Sequence, residues 1–452
     1  METTSPCVKR PGVRALLASP DYVRLWITGG IGNAMRWLEM LAAALYVLEA
    51  TGSGFAVALV SAARTLPLLC FGALAGVVSE SVNRKHILIG GLTLAAGSAA
   101  SVCALSLTGT LRPWHVAAAA FVSGSVWATE MATRRRMVGE AAGPALVARA
   151  VALDSLTGAL TRMLGPLMGS FAFAAFGVAG AFAATAAIYL SGAALVLGLR
   201  HEQEARPLRL SRVPRELADG FAYARREPTV LAVLGVTVTM NLFAFTYVAL
   251  VAPISRQIFH MPAAWTGALA AAEPLGSLIG GLFLASGTPR TSPRLMMLSG
   301  SALFLASLAV MPLMPDYWMA CAVLILGGLG LALFGNMQTT LVLTNAPAAV
   351  RSRVLGLITV CIGTGPLGQL LIGSLAERFG PLDAVITVAV CGLATLSVVG
   401  ALWMRARAPS IERDLTAEGP AAVPAAPPRP IAASTGRNTL PRPADRRSSA
   451  GR

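Results

Sequence analysis

Asp154-Ser-Leu-Thr-Gly158-Ala-Leu-Thr-Arg162-Met-Leu-Gly165-Pro166-Leu-Met-Gly169-Ser170 is an apolar run that carries one arginine and a stripe of glycines. Gly158, Arg162, Gly165 and Gly169 step by four, three and four residues, which puts them on one helical face. Small residues in that rhythm let another helix backbone approach closely, a packing mode suited to lipid. The pattern returns as Gly363-Thr-Gly365-Pro366-Leu367-Gly368, so the chain reads as duplicated.

Outward from this run the composition agrees with a membrane. The 452 residues are 55% hydrophobic and 13% charged, against roughly a quarter charged in soluble domains. A net charge of +15 would suggest a nucleic-acid partner if the 36 basic residues were spread evenly; they are not, and none is expected. The six cysteines are far apart, and His86, His115, His201 and His260 form no HExxH or HxxxH arrangement. Neither a disulfide framework, a metal site nor a cofactor is therefore expected. An embedded enzyme would also need a nucleophile and base pair that the chain does not offer. The first 20 residues are polar and broken by Pro6, Pro11 and Pro20, unlike a cleavable signal peptide.

Apolar stretches long enough to span lie near 22–49, 55–78, 87–108, 114–133, 150–176 and 180–200, then near 229–251, 265–286, 294–313, 317–341, 354–377 and 383–404. The fold expected is an all-α membrane protein of twelve transmembrane helices in two pseudo-symmetric six-helix bundles. Its divisions are an N-terminal segment 1–21, a first bundle 22–200, a polar linker 201–228, a second bundle 229–404 and a Pro-rich, disordered tail 405–452. Within the linker, Leu217, Phe221 and Ala224 share a stripe that predicts a short amphipathic interfacial helix. Only Arg112, Arg256 and Arg378 fall in the loops opposite the termini, and Arg36, Arg64 and Arg162 fall in spans. By the positive-inside rule both termini are then cytoplasmic. Asn33 and Asn241, Pro67 and Pro274, Arg84 and Arg290, and the Gly-Pro pairs at 165–166 and 365–366 recur at one near-constant offset, as two parallel repeats require.

Ionisable groups inside spans cost about 2.5–3.5 kcal/mol each on insertion scales, so each needs a partner, a cavity or an interface. Arg36 and Glu39, three apart, either neutralise each other or face a cavity that binds substrate or protons. Arg64 lies at mid-depth, at a cavity or a helix interface. Glu130 and Asp154 are expected to pair with Arg134–Arg136 or Arg149. Asn33, Asn241, Asn336, Gln338 and Gln369 either line a polar cavity or bond between helices. Pro166 and Pro366 are expected to kink their helices.

Between the second and third spans, Gly76-Val-Val-Ser-Glu80-Ser-Val-Asn83-Arg84-Lys85 resembles the loop signature of the major facilitator superfamily. Glu80 stands in its acidic place, Arg84 and Lys85 in its basic ones. Asn83 replaces the usual glycine and is expected to keep the turn by tolerating a left-handed backbone. Gly165-Pro166-Leu-Met-Gly169 resembles the fifth-helix motif of the superfamily's proton-exchanging exporters. Leu48-Glu-Ala-Thr51-Gly52-Ser53, Arg215 to Pro228 and Arg351-Ser-Arg353-Val-Leu-Gly356 are similar to the bacterial branch that holds enterobactin-type siderophore exporters and macrolide or multidrug efflux pumps.

This resemblance implies a monomeric inner-membrane transporter that exports a small amphiphilic molecule by alternating access, with protons as the coupling ion. Uptake, uncoupled facilitation and a non-transporting sensor are the alternatives. In that fold the fifth span lies against the eighth across the bundle interface. At ~1.5 Å per residue, Arg162 lies about 18 Å in from one surface and Glu273 about 12 Å in from the other. In a core of about 30 Å these levels coincide, so an Arg162–Glu273 ion pair is expected, the alternative being that Glu273 faces Arg64 or Arg36. Candidate substrate or proton-coupling residues are thus Asn33, Arg36, Glu39, Arg64, Arg162, Asn241 and Glu273.

Overall fold

The computed structural model describes residues 13–143, 145–200, 213–287 and 291–406, without the side chains of 13, 71–81, 132, 135, 213–217, 348–349 and 352. The expectations for residues 1–12, for most of the linker ahead of 213, for the Glu80 side chain and for the tail beyond 406 lie outside the described residues.

Among the described residues every regular element is helical. Helix α1 is Val13–Leu17 and α2 is Pro20–Thr51. Ser19 caps α2 by accepting from the Tyr22 amide, Pro20 sits in the first turn where its missing N–H is harmless, and Gly52 ends the helix at φ 67°. Next come α3 (Gly54–Ser81), α4 (Arg84–Leu107), α5 (Pro113–Ala142) and α6 (Val147–Leu197). Asn83 has φ −58° and caps α4 by accepting from the Lys85 amide. It acts as an N-cap rather than through the left-handed backbone expected of it.

The amphipathic helix read in the linker is α7 (Val213–Ala224). Its Tyr223 hydroxyl donates to the Asn345 carbonyl at 3.0 Å, and Asp219 pairs with Arg353 at 3.6 Å, so it docks on the second half.

The segment 229–251, expected as a span, lies within one helical stretch, Pro228–Ile258, whose hydrogen-bond pattern changes along its length. Helix α8 (Pro228–Thr239) passes into a π-turn at Met240–Ala244, a 3-10 stretch at Phe245–Leu250, the short α9 (Val251–Pro253) and a second π-turn at Ile254–Ile258. Helices α10 (Ala263–Ser286), α11 (Pro293–Val310), α12 (Tyr317–Asn345), α13 (Ala348–Ile362) and α14 (Gly365–Arg405) complete the chain.

Seven described helical stretches are long and apolar enough to cross a membrane. Two of them, 147–197 and 353–405, run through a glycine with left-handed backbone, Gly177 at φ 65° and Gly380 at φ 85°, where one apolar segment turns into the next. Exposed Phe171, Phe176, Leu190, Phe283 and Leu402 on these stretches suit contact with lipid. Pro366 does not kink a helix. The chain breaks at Gly363–Thr364, and Pro366 occupies the first turn of α14.

The glycine stripe of α6 is divided between two surroundings. A Cβ on Gly169 would meet the Leu38 carbonyl oxygen at 2.7 Å, and one on Gly165 the Trp37 Cβ at 2.5 Å, so both serve contact with α2. Gly158 faces open space. The close approach of α6 to α10 comes from the other partner: a Cβ on Gly267 would meet the Pro166 carbonyl at 2.6 Å.

Candidate functional site

Helices α2, α5 and α6 enclose a cavity of about 580 Å3. The first half of α2 supplies Gly29, Asn33, Arg36 and Trp37; α5 supplies Trp127, Glu130, Met131, Arg134 and Val138; the start of α6 supplies Asp154, Gly158 and Arg162. The α5 residues fall at helical spacing on one face. That spacing was visible in the sequence, but the face mixes charge, aromatic and aliphatic groups, so hydropathy alone did not mark it.

Charge within the cavity is locally arranged. Arg134 sits between two acids, with Glu130 at 3.7 Å and Asp154 Oδ2 at 3.2 Å, as expected for those carboxylates. Asn33 donates to the Gly158 carbonyl at 3.2 Å and to Thr161, and its own oxygen accepts from Arg36. The Arg36 guanidinium lies 4.9 Å from the Trp127 ring centroid and that of Arg162 lies 5.7 Å from the Trp37 ring, cation–π distances in both cases.

Arg36 and Glu39 do not neutralise each other. One α-helical turn separates them, yet Glu39 points toward α3 and α5, where Arg64 pairs with it at 3.4 Å and Ser123 donates at 2.9 Å. Both charges are buried, Glu39 to 3% exposure and Arg64 to 6%. Arg64 is thus a helix-interface residue.

At the boundary of the two halves, Arg162 Nη2 meets Glu273 Oε2 at 2.5 Å. Glu273 is 1% exposed and Arg162, on the cavity side, 29%. Glu273 therefore faces neither Arg64 nor Arg36. The hydroxyl of Tyr247, from the irregular 3-10 stretch, lies beside Glu273, while Glu273 Oε1 has no hydrogen-bond partner among the described residues. Tyr247 was not foreseen, because a regular span would have placed it without reference to α10.

The remaining candidates are dispersed. Asn241 donates to the Thr237 carbonyl of its own helix at 2.9 Å, and Asn336 likewise to Ala332 at 2.8 Å. Gln338 and Gln369 do bond between helices, to Thr237 at 2.6 Å and from Thr65 at 2.8 Å. In the signature loop, Arg84 donates to Glu140 of α5 at 2.8 Å, and the Lys85 ammonium caps α6 by donating to the Leu197 and Leu199 carbonyls at 2.8 Å. Gly76 lies within α3.

The cavity occupies the end of the molecule where α2 and α6 begin. At the opposite end the two halves touch directly: Ser53 donates to Glu377 at 2.7 Å, Gln257 to the Gly52 carbonyl at 3.1 Å and Ser170 to the Ala264 carbonyl at 2.9 Å. Arg256 approaches Glu49 at 4.0 Å.

Known proteins share this architecture. The enterobactin exporter EntS of Citrobacter koseri is 29% identical over 344 residues, 73% of this chain and 78% of that protein. Among solved structures, a bacterial homologue of the human lysosomal transporter Spinster aligns with TM-score 0.67 at 13% identity, covering 88% of this chain and 98% of that one. The nucleoside transporter NupG aligns with TM-score 0.62 at 14% identity, covering 85% and 99%. The family described as transmembrane secretion effector matches residues 14–428, and with that match, on an all-helical membrane fold of this kind, the chain belongs to the transmembrane secretion effector family of the major facilitator superfamily.

Proposed function

We propose that this transporter is a proton-coupled exporter of a small amphiphilic molecule, acting as a monomer in the inner membrane with both termini cytoplasmic. Its substrate enters the α2–α5–α6 cavity from the cytoplasm, while the opposite end is held shut by Ser53–Glu377 and its neighbours. The observation that carries this reading is the Arg162–Glu273 pair, made between the two halves at the wall of the cavity.

A proton arriving at Glu273 cancels the charge that holds Arg162. A neutral carboxyl and a guanidinium attract far less than the ion pair does in a medium of low dielectric. Loss of that attraction frees α6 to move past α10 at the Gly267–Pro166 contact, and alternating access follows from rocking of one half against the other. The proton enters from outside while the emptied cavity faces outward, and its release to the cytoplasm after the return restores the pair, so that protons move in as substrate moves out. The relatives' role as enterobactin exporters supports the outward direction.

The test begins with a deletion strain compared with its parent across a drug-susceptibility panel and its secreted metabolites. With a substrate in hand, everted vesicles under an imposed pH gradient should accumulate it. Glu273→Gln should lose gradient-driven accumulation and keep substrate counterflow, since only the coupling step needs the proton. Gradient-driven accumulation at the wild-type level in that variant would overturn the mechanism.

A further inference from the structure

Arg36 is the cavity guanidinium that no carboxylate of the described residues meets at salt-bridge distance. Arg134 has Glu130 and Asp154, Arg162 has Glu273, and Arg64 has Glu39. Arg36 has an amide oxygen, that of Asn33, and the face of Trp127. A guanidinium carries five N–H donors in a planar fork, and one neutral acceptor leaves most of them unused. Its placement is fixed: Asn33 is itself held by Thr161 and the Gly158 carbonyl of α6, which aims its oxygen at Arg36.

From this arrangement we infer that the cavity selects an anionic substrate, a carboxylate on an aromatic or otherwise planar apolar body, with the carboxylate received by Arg36. The inference rests on the proposed substrate cavity and names what that cavity takes. An incoming cation would find each lining carboxylate already engaged by Arg134, whereas an incoming carboxylate finds Arg36 with donors to give. A charge-assisted, bidentate contact in a cleft is worth about twice a neutral hydrogen bond, and its planarity matches the carboxylate. Trp37, Trp127, Met131 and Val138 supply the apolar walls for the body of the ligand.

Direct binding to the purified full-length protein tests this without a proton gradient, so a protein that couples to no proton still answers it. Three probes of one shape are used: 2-naphthoate, 2-naphthalenemethanol and 2-naphthylmethylammonium, followed by quenching of tryptophan fluorescence. Wild type should bind 2-naphthoate saturably and at least tenfold more tightly than either other probe. Arg36→Gln should abolish that preference, Arg36→Lys should keep part of it, and Arg36→Glu should turn it toward the ammonium probe. Monodisperse elution in detergent shows that each variant folds, and the Lys and Glu variants separate loss of charge from loss of fold. Preference of wild type for the ammonium probe, absence of saturable naphthoate binding, or naphthoate binding by monodisperse Arg36→Gln at the wild-type level would each overturn the inference.

Discussion

Glu39 and Arg64 bury opposite charges between α2, α3 and α5, with Ser123 donating a further hydrogen bond to the carboxylate. Removing one member of such a pair leaves the other uncompensated, at a cost of about 3–5 kcal/mol, while replacing both with apolar groups is often neutral. Glu39→Gln or Arg64→Met should therefore lower the detergent melting temperature by many degrees, and the double variant should regain most of the loss. A loss in the double variant equal to the sum of the two single losses would show that the residues act independently. The Arg162–Glu273 pair predicts a different pattern, because its making and breaking is the working step. Arg162→Ala and Glu273→Ala should each impair gradient-driven transport with expression retained, and the swap Arg162→Glu with Glu273→Arg should recover part of it. A double-mutant cycle should give a coupling energy within about 0.5–3 kcal/mol, and zero coupling would sink the pair's role.

At the scale of the element, glycines decide which helices touch. Gly169→Ala puts a Cβ at 2.7 Å from the Leu38 carbonyl, a clash with backbone that α2 can relieve only by moving as a unit. Overpacking of this kind costs about 1–3 kcal/mol. Gly158→Ala meets nothing within 4 Å and should leave the melting temperature unchanged or slightly raised. Equal stability of the two variants in detergent would contradict the division of the stripe between α2 and the cavity. The irregular segment Met240–Ile258 is the other element-scale device. Its π and 3-10 turns bring Tyr247 against Glu273, which a straight helix through the same residues would not be required to do.

For the whole molecule the proposal demands that the end opposite the cavity should open. Cysteines at Ser53 and Glu377, joined by a short cleavable bifunctional thiol reagent in a cysteine-free background, should stop transport until the bridge is cut. Unimpaired transport while bridged would show that these ends never separate. Orientation is checked the same way. A membrane-impermeant thiol reagent should label Thr108→Cys in intact spheroplasts, and Ala145→Cys only after they are opened. The reverse pattern would invert the topology.

Composition, hydropathy and the one-sided placement of arginine determined the class of this protein, because an apolar stretch of about 20 residues has few options but to span lipid as a helix. The resemblance at Gly76–Lys85 and Gly165–Gly169 led to the superfamily. With the packing order of that fold, even the meeting of Arg162 and Glu273 was legible, since depth follows from residue count along a helix. Rotation about the helix axis was not legible. Whether Glu39 turns to Arg36 on its own helix or to Arg64 on the next, and which neighbour Gly165 and Gly169 face, depends on which helix presses on which side. The change from α to π and 3-10 turns between α8 and α9 was hidden because an unbroken apolar run reads as a regular helix, while in lipid its backbone donors can be satisfied by π and 3-10 bonds as well as by α bonds. Only the tertiary structure assembled the cavity, since its walls come from three separate helices and its character depends on which guanidinium the packing leaves without an acid.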